Sequence, residues 1–157
     1  MKIISPELNN EIIKEAFAAF PEIEPIPAAS LDEAAASLNS GAADSMIAGL
    51  DYSSRDVLLA YKNYLPLKSQ FFSSCFICEK GDTRLVLADG GVNKIPSNDQ
   101  LYTIVEDTAK TFEAFYAETP RIAMLSYSTK GSGGKNPDLE KIYYVIEKIR
   151  AEHQNWL

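Results

Sequence analysis

Apolar residues recur along this chain in two rhythms, and their alternation lays out the elements. Leu8, Ile12, Ile13, Ala16 and Phe17 stand at the spacing of one helical face. Ser5-Pro6 precedes them, a capping hydroxyl and a proline suited to the first helical position. The pattern ends at Phe20-Pro21, and the prolines of residues 21–27 read as a connector. Ser30 and Glu33 form a capping box for an alanine-rich helix that stops near Asn39-Ser40-Gly41. Residues 45–50 are a short apolar run, expected to be a buried strand, and a helix follows over 55–64. Residues 71–78 and 84–88 are strand-like, joined by the turn residues of 79–83. Leu101, Ile104, Val105, Thr108, Phe112 and Phe115 make one stripe on a helix over 98–117. Residues 121–126 read as a further strand. Asn136-Pro137 opens a last helix with Leu139, Ile142, Tyr143, Ile146 and Ile149 on its buried face.

Strands that alternate with helices predict an α/β fold: a layered, mostly parallel sheet with flanking helices and one antiparallel hairpin. The four strand-like segments are expected in one sheet. Residues 1–29 are expected to be an N-terminal helix and proline-rich connector, and 30–157 the α/β domain proper.

Composition narrows the function. The 157 residues carry 15 Lys+Arg and 22 Asp+Glu, a formal charge of −7. Such an acidic chain lacks the basic face that nucleic acid or an anionic membrane surface requires. A single phosphorylated ligand needs only a local cluster of donors and stays compatible. No apolar run approaches the roughly 18 residues of a membrane span, so a cytoplasmic protein is expected. One histidine, His153, and two cysteines, Cys75 and Cys78, argue against structural zinc and a disulfide scaffold. No metal is expected. Cys75 and Cys78 have the CxxC spacing, but on a strand they point to opposite faces, so both are read as buried structural thiols.

Two loops carry the candidate chemistry. Ligands of open α/β sheets bind where strand ends feed helix N-termini. One such loop is residues 51–55, with Ser53, Ser54 and Arg55; the other is residues 126–135, with Ser128, Thr129, Lys130, Gly131 and Ser132. Hydroxyls and backbone N–H groups donate, and a cation neutralises charge: this is the inventory of an anion site. The alternative, that the hydroxyls only cap and the glycines only turn, stays open. The second loop is not a Walker A motif, because Gly134-Lys135 is followed by Asn136 and the earlier glycine position holds Thr129. The glycine loop at Asp89-Gly90-Gly91-Val92-Asn93 ends a strand and reads equally as a turn or as the wall of a site.

Residues 121–132, Arg-Ile-Ala-Met-Leu-Ser-Tyr-Ser-Thr-Lys-Gly-Ser, resemble a hallmark segment of the phosphate acetyltransferases (phosphotransacetylases), whose fold the phosphate butyryltransferases share. Residues 41–49, with Gly41, Ala43, Asp44 and Gly49, resemble the family's G-x-A-D-x-x-x-x-G stretch. Ser73-Ser74-Cys75-Phe76, Ala88-Asp89, Val92-Asn93, Pro96 and Gln100-Leu101 agree with later family segments in order and spacing. The resemblance implies part of an isocitrate-dehydrogenase-like acyltransferase fold, commonly a homodimer. It implies the reaction acetyl-CoA + phosphate ⇌ acetyl phosphate + CoA, with coenzyme A as substrate and no bound cofactor. It also implies that both loops face a cleft and hold phosphate or part of CoA. Two departures accompany it. The family's phosphate-binding arginine, one turn into the helix after the first loop, is Leu59 here, and Arg55 stands four residues earlier. The late Asn/Gly-rich loop and the C-terminal Ser-Arg and Asp of the family have no counterpart among these residues, so catalytic residues are not assigned.

Two readings result. The first is a phosphate acetyltransferase-family acyltransferase, in a truncated form with low activity alone, whose 30–157 domain is incomplete relative to the family. The second is a non-catalytic domain that binds a phosphorylated metabolite or CoA, or an assembly module. Truncation would leave surface bare, and Tyr143, Tyr144, Trp156 and Leu157 are expected to be exposed.

Overall fold

The computed structural model describes residues 1–66, 71–129 and 132–156. The chain divides into two compact units, Met1–Gln70 and Phe71–Leu157.

The N-terminal unit is built on a three-stranded parallel sheet. Its central strand is β1 (Lys2–Ser5), flanked by β2 (Glu24–Pro27) and β3 (Ser45–Met46). Ile4 pairs with Ile26 on one side and Met46 on the other. Residues 1–29 therefore supply two strands of the sheet, where a helix and a connector were expected. The prolines of β2 are compatible with pairing because of the period of two. Glu24 and Ala28 donate their N–H groups to Met1 and Ser5 at 2.9 and 3.2 Å, so Pro25 and Pro27 fall on the alternate positions, which face away from β1. Pro6 follows the last residue of β1, and the first helix, α1 (Glu11–Ala18), is capped by Asn10 rather than Ser5.

Ser30 caps α2 (Leu31–Asn39), its Oγ accepting the Glu33 N–H at 3.1 Å, and the Glu33 carboxylate returns to the Ala29 N–H at 2.7 Å. Leu31, Ala34 and Ala35 then meet Ile4, Ala43, Met46 and the Ala60 methyl of α3 (Ser54–Tyr64) in one core. Small alanines let α2 lie close on the sheet. β3 ends at Met46, short of the expected Leu50; Ile47 still donates its N–H to the Ile4 carbonyl at 3.0 Å, and the backbone then turns at Gly49, φ +124°.

The C-terminal unit holds an antiparallel hairpin, β4 (Cys75–Lys80) and β5 (Thr83–Ala88), and two helices, α4 (Asn98–Tyr116) and α5 (Pro137–Glu152). Tyr102, Val105 and Ala109 of α4 pack with Val145 and Ile149 of α5 and with Trp156; Ile122 and Met124 close over them. Residues 121–126 form no strand. Ile122 and Met124 do alternate with exposed neighbours, but the Ile122 N–H goes to the Trp156 carbonyl at 2.8 Å instead of to a strand. The α/β class with a parallel sheet and flanking helices holds, but the single sheet of four segments does not: the hairpin is a two-stranded sheet of its own.

Cys75 and Cys78 lie on opposite hairpin faces, as their spacing requires. Only Cys75 is partly buried; Cys78 is exposed beside Leu85, its cross-strand partner, so the reading of two buried thiols is corrected. Trp156 is also corrected, being 8% exposed, whereas Tyr143 and Tyr144 are each half-exposed. Leu157 lies outside the described residues. Among the described residues no helix is long and apolar enough to cross a membrane.

Candidate functional site

The first loop begins where β1 and β3 end side by side. Ser5, fully buried, accepts the N–H of Glu7 on its Oγ at 3.1 Å, which turns the chain after Pro6 and sends the Glu7 side chain inward. Glu7 as a whole is 4% exposed. Its Oε1 accepts the N–H groups of Asp51 and Tyr52 at 2.6 and 3.2 Å, and its Oε2 accepts that of Gly49 at 3.0 Å. Burial opposes ionisation, but backbone hydrogen bonds from Asp51, Leu50, Tyr52 and Gly49 outweigh it and hold the carboxyl below the usual glutamate range. The amides that were expected to face a ligand are thus filled by an internal anion. Glu7 escapes sequence reasoning because its partners lie more than forty residues away; the only local signal is a Pro-Glu pair at the end of the apolar Ile3-Ile4 run.

Beyond this nest the loop runs into α3. Ser53 is its N-cap: the hydroxyl accepts the Asp56 N–H at 3.2 Å and donates to the Asp56 carboxylate at 2.6 Å. Ser54 and Arg55 are exposed in the first turn. Arg55 and Leu59, four apart on one helix, share a face, so the guanidinium stem starts about 6 Å along the axis from the leucine position.

The second loop is organised by its own hydroxyls. Ser126 Oγ accepts the Ser128 N–H and donates to the Ser128 carbonyl, both at 3.2 Å. Ser128 Oγ accepts the Gly133 N–H at 2.8 Å, and the Ser132 N–H turns back to the Thr129 carbonyl at 3.0 Å. Ser128 is therefore partly buried and structural, while Thr129 and Ser132 face solvent. Lys130 and Gly131 lie outside the described residues. The loop closes on Asn136, whose Oδ1 accepts the Asp138 N–H at 2.8 Å and caps α5, with Pro137 at its first turn.

The Asp89 loop is a carboxylate cradle. Asp89 Oδ1 accepts from Ser74 Oγ at 2.8 Å and from the Gly91 and Val92 amides at 3.0 Å each; Oδ2 accepts from the Asn93 amide and side chain at 3.1 and 2.6 Å. Burial resists the charge, but these donors win and hold the carboxyl at about 2. Asn93 also donates to the Phe72 carbonyl at 2.7 Å, so the loop is tied to the segment leading into β4. Asp89 faces its own loop and serves as its organiser.

Of the predicted residues, Ser53, Ser54 and Arg55 belong to the N-terminal unit and Ser128, Thr129 and Ser132 to the C-terminal one. In the first loop Ser53 is used as a cap and Ser54 and Arg55 after it are exposed; in the second Ser128 holds the loop while Thr129 and Ser132 are exposed. Among the described residues no cluster of His, Cys, Asp or Glu is suited to a metal ion.

Comparison with known proteins gives this geometry a context. The family model described as phosphate acetyl/butaryl transferase matches residues 13–156. The chain is 36% identical over 131 residues to a phosphate acetyltransferase of Treponema pallidum, a match that covers 77% of this chain and 38% of that one. It is 35% identical over 114 residues to a phosphate acetyltransferase of Bacillus subtilis, covering 71% of this chain and 34% of the relative. The chain thus spans little more than a third of the length of these curated relatives. In structure it resembles a phosphotransacetylase from Streptococcus pyogenes, with a TM-score of 0.82 at 23% identity over 99% of this chain and 66% of the other.

Proposed function

This chain belongs to the phosphate acetyl/butaryl transferase family, and from that premise we propose that it binds coenzyme A and phosphate for acyl transfer between them. The observation that carries the reading is the family match across residues 13–156, which includes both loops. In the proposed reaction the CoA thiolate attacks the acyl carbon of acetyl phosphate. A C–S bond forms, the C–O bond to phosphorus breaks, and phosphate leaves with the electron pair. Donors that meet the developing charge lower this barrier most.

The proposed substrate contacts divide by what each side chain is free to do. Ser54 and Arg55 in the first turn of α3, with Thr129 and Ser132 on the second loop, are the outward donors. Lys130 is the proposed cation of that loop and Gly131 one of its backbone donors. Ser53 and Ser128 hold the backbone that presents them. Exposed contacts of this kind support affinity of about 1 mM, or about 4 kcal/mol. Turnover by the chain alone is expected to be low, because alignment of two reactants supplies about 7–11 kcal/mol of such a barrier and Leu59 offers no charge to help.

The alternative, a non-catalytic domain that binds a phosphorylated metabolite or CoA, draws support from Glu7, which leaves the first loop fewer amides to offer a substrate. Two measurements separate the readings. Acetyl-CoA formation from acetyl phosphate and CoA by the purified chain, above a Lys130→Ala control, supports the enzyme. Chemical-shift changes at Thr129 and Ser132 on addition of CoA or phosphate, without turnover, support the binding domain. Shifts confined to residues outside both loops would remove the site assignment from either.

A further inference from the structure

Glu7 is held from both sides before its carboxylate meets the loop. Its N–H is fixed by Ser5 Oγ at 3.1 Å, and its carbonyl accepts the Asn10 N–H at 2.8 Å. The side chain then spans 42 to 45 residues of sequence to collect the amides of Gly49, Asp51 and Tyr52. Nothing within 4 Å would touch a Cβ at Gly49, so packing does not dictate the turn there; its φ of +124° is a conformation glycine tolerates and other residues rarely do. Ala48 and Tyr52 pack on the core and Asn10 Nδ2 donates to Asp51 Oδ2 at 3.4 Å, but the group that gathers three of the loop's backbone amides is the Glu7 carboxylate.

We propose that Glu7 is the positioning residue of the 49–55 loop: its buried carboxylate sets the backbone from which Ser53 caps α3 and from which Ser54 and Arg55 are presented to an anion. This rests on the reading of that loop as part of an anion site. The chemistry is specific to a carboxylate. Two oxygens accept several N–H groups at once, whereas the amide of glutamine accepts on one side and turns N–H against N–H on the other. A glutamine here leaves at least one of these partly buried backbone donors without its acceptor, and the loop must shift to rehydrate it.

The test uses the full chain, labelled with ¹⁵N, and inorganic phosphate as probe. Without phosphate, acidification is expected to move the Gly49, Asp51 and Tyr52 amides together with one midpoint, while Ala34 and Ala35 of the same unit stay still; Glu7→Gln abolishes that common transition. With phosphate, Glu7→Gln is expected to weaken binding read at Ser54 and Arg55 about tenfold, and to leave binding read at Thr129 and Ser132 within about twofold. Glu7→Asp, which keeps the charge on a shorter stem, recovers part of the loss. Amides that ignore acid, or respond equally in Glu7→Gln, overturn the proposal. So does phosphate binding at Ser54 and Arg55 that is unchanged or tighter in Glu7→Gln, which would make Glu7 an idle or repelling charge. A wild-type chain with the acid transition but no phosphate shifts at Ser54 and Arg55 refutes the anion-site reading and leaves Glu7 as the organiser of the loop. Should Glu7→Gln fail to fold, the wild-type acid transition decides.

Discussion

The indole of Trp156 lies flat on the imidazole of His153, with ring centroids 3.8 Å apart and planes 2° from parallel. The stack closes a turn after α5 and joins it to α4. His153 Nε2 lies 3.2 Å from a Glu106 carboxylate oxygen and 3.5 Å from the Tyr102 hydroxyl, which itself donates to Glu152. Burial, then the hydrogen bond to Glu152 and the charge of Glu106, push the Tyr102 hydroxyl well above the usual tyrosine range. It therefore stays protonated and able to donate. The Trp156 carbonyl in turn accepts the Ile122 N–H, so this turn also fixes the approach to the second loop.

Removal of the imidazole should loosen that turn. His153→Ala forfeits the stacked pair and its polar contacts, and an expected loss of about 1–2 kcal/mol follows. Trp156 is the sole tryptophan, so its fluorescence reports the site alone. Emission should shift to the red as the indole gains water, with a lower urea midpoint. An unshifted spectrum would show that Trp156 is held without His153.

The Asp89 cradle makes a pH prediction. Its folded pKa of about 2 lies below the ordinary 3.8, so the unfolded chain takes up the proton first. The stabilisation is complete above about pH 5 and is lost as pH falls toward 2. It amounts to about 2 kcal/mol. Asp89→Asn should lose about that much at pH 7 and should flatten the stability curve between pH 4 and 2. Equal slopes for variant and wild type in urea unfolding across that range would rule out Asp89 as the titrating group.

Gly133 sets how closely the second loop approaches α5. A Cβ there would come within 2.7 Å of Leu139 Cδ1 and 3.0 Å of the Ser128 Cβ and Oγ. Leu139 is 2% exposed and has little room to swing away. Gly133→Ala should therefore displace Ser128, break the hydrogen bond between its Oγ and the Gly133 amide, and destabilise the C-terminal unit by about 1–3 kcal/mol. Phosphate or CoA shifts at Thr129 and Ser132 should weaken with it, and those at Ser54 and Arg55 should not. Preserved binding at Thr129 and Ser132 would separate the ligand site from the geometry of Ser128.

What the residues decide locally could be read from their order alone. Ser30 caps α2, Asn136 caps α5 ahead of Pro137, and Gly81 turns the hairpin at φ +57°, because each depends on bonds within a few positions. The α/β class and the family resemblance were legible for the same reason: they lie in the run of elements and in contiguous segments such as residues 121–132. Contacts between distant residues were not. Only the folded sheet shows that Pro25 and Pro27 fit a parallel edge strand, since which N–H must pair is a property of the neighbour. Residues 121–126 alternate like a strand, yet Trp156 takes the Ile122 hydrogen bond. Trp156 is buried because His153 and α4 meet it. The sequence places donors on the first loop, but tertiary structure fills its amides with Glu7, since a partly buried N–H is satisfied by an acceptor and the carboxylate arrives from the end of the neighbouring strand β1.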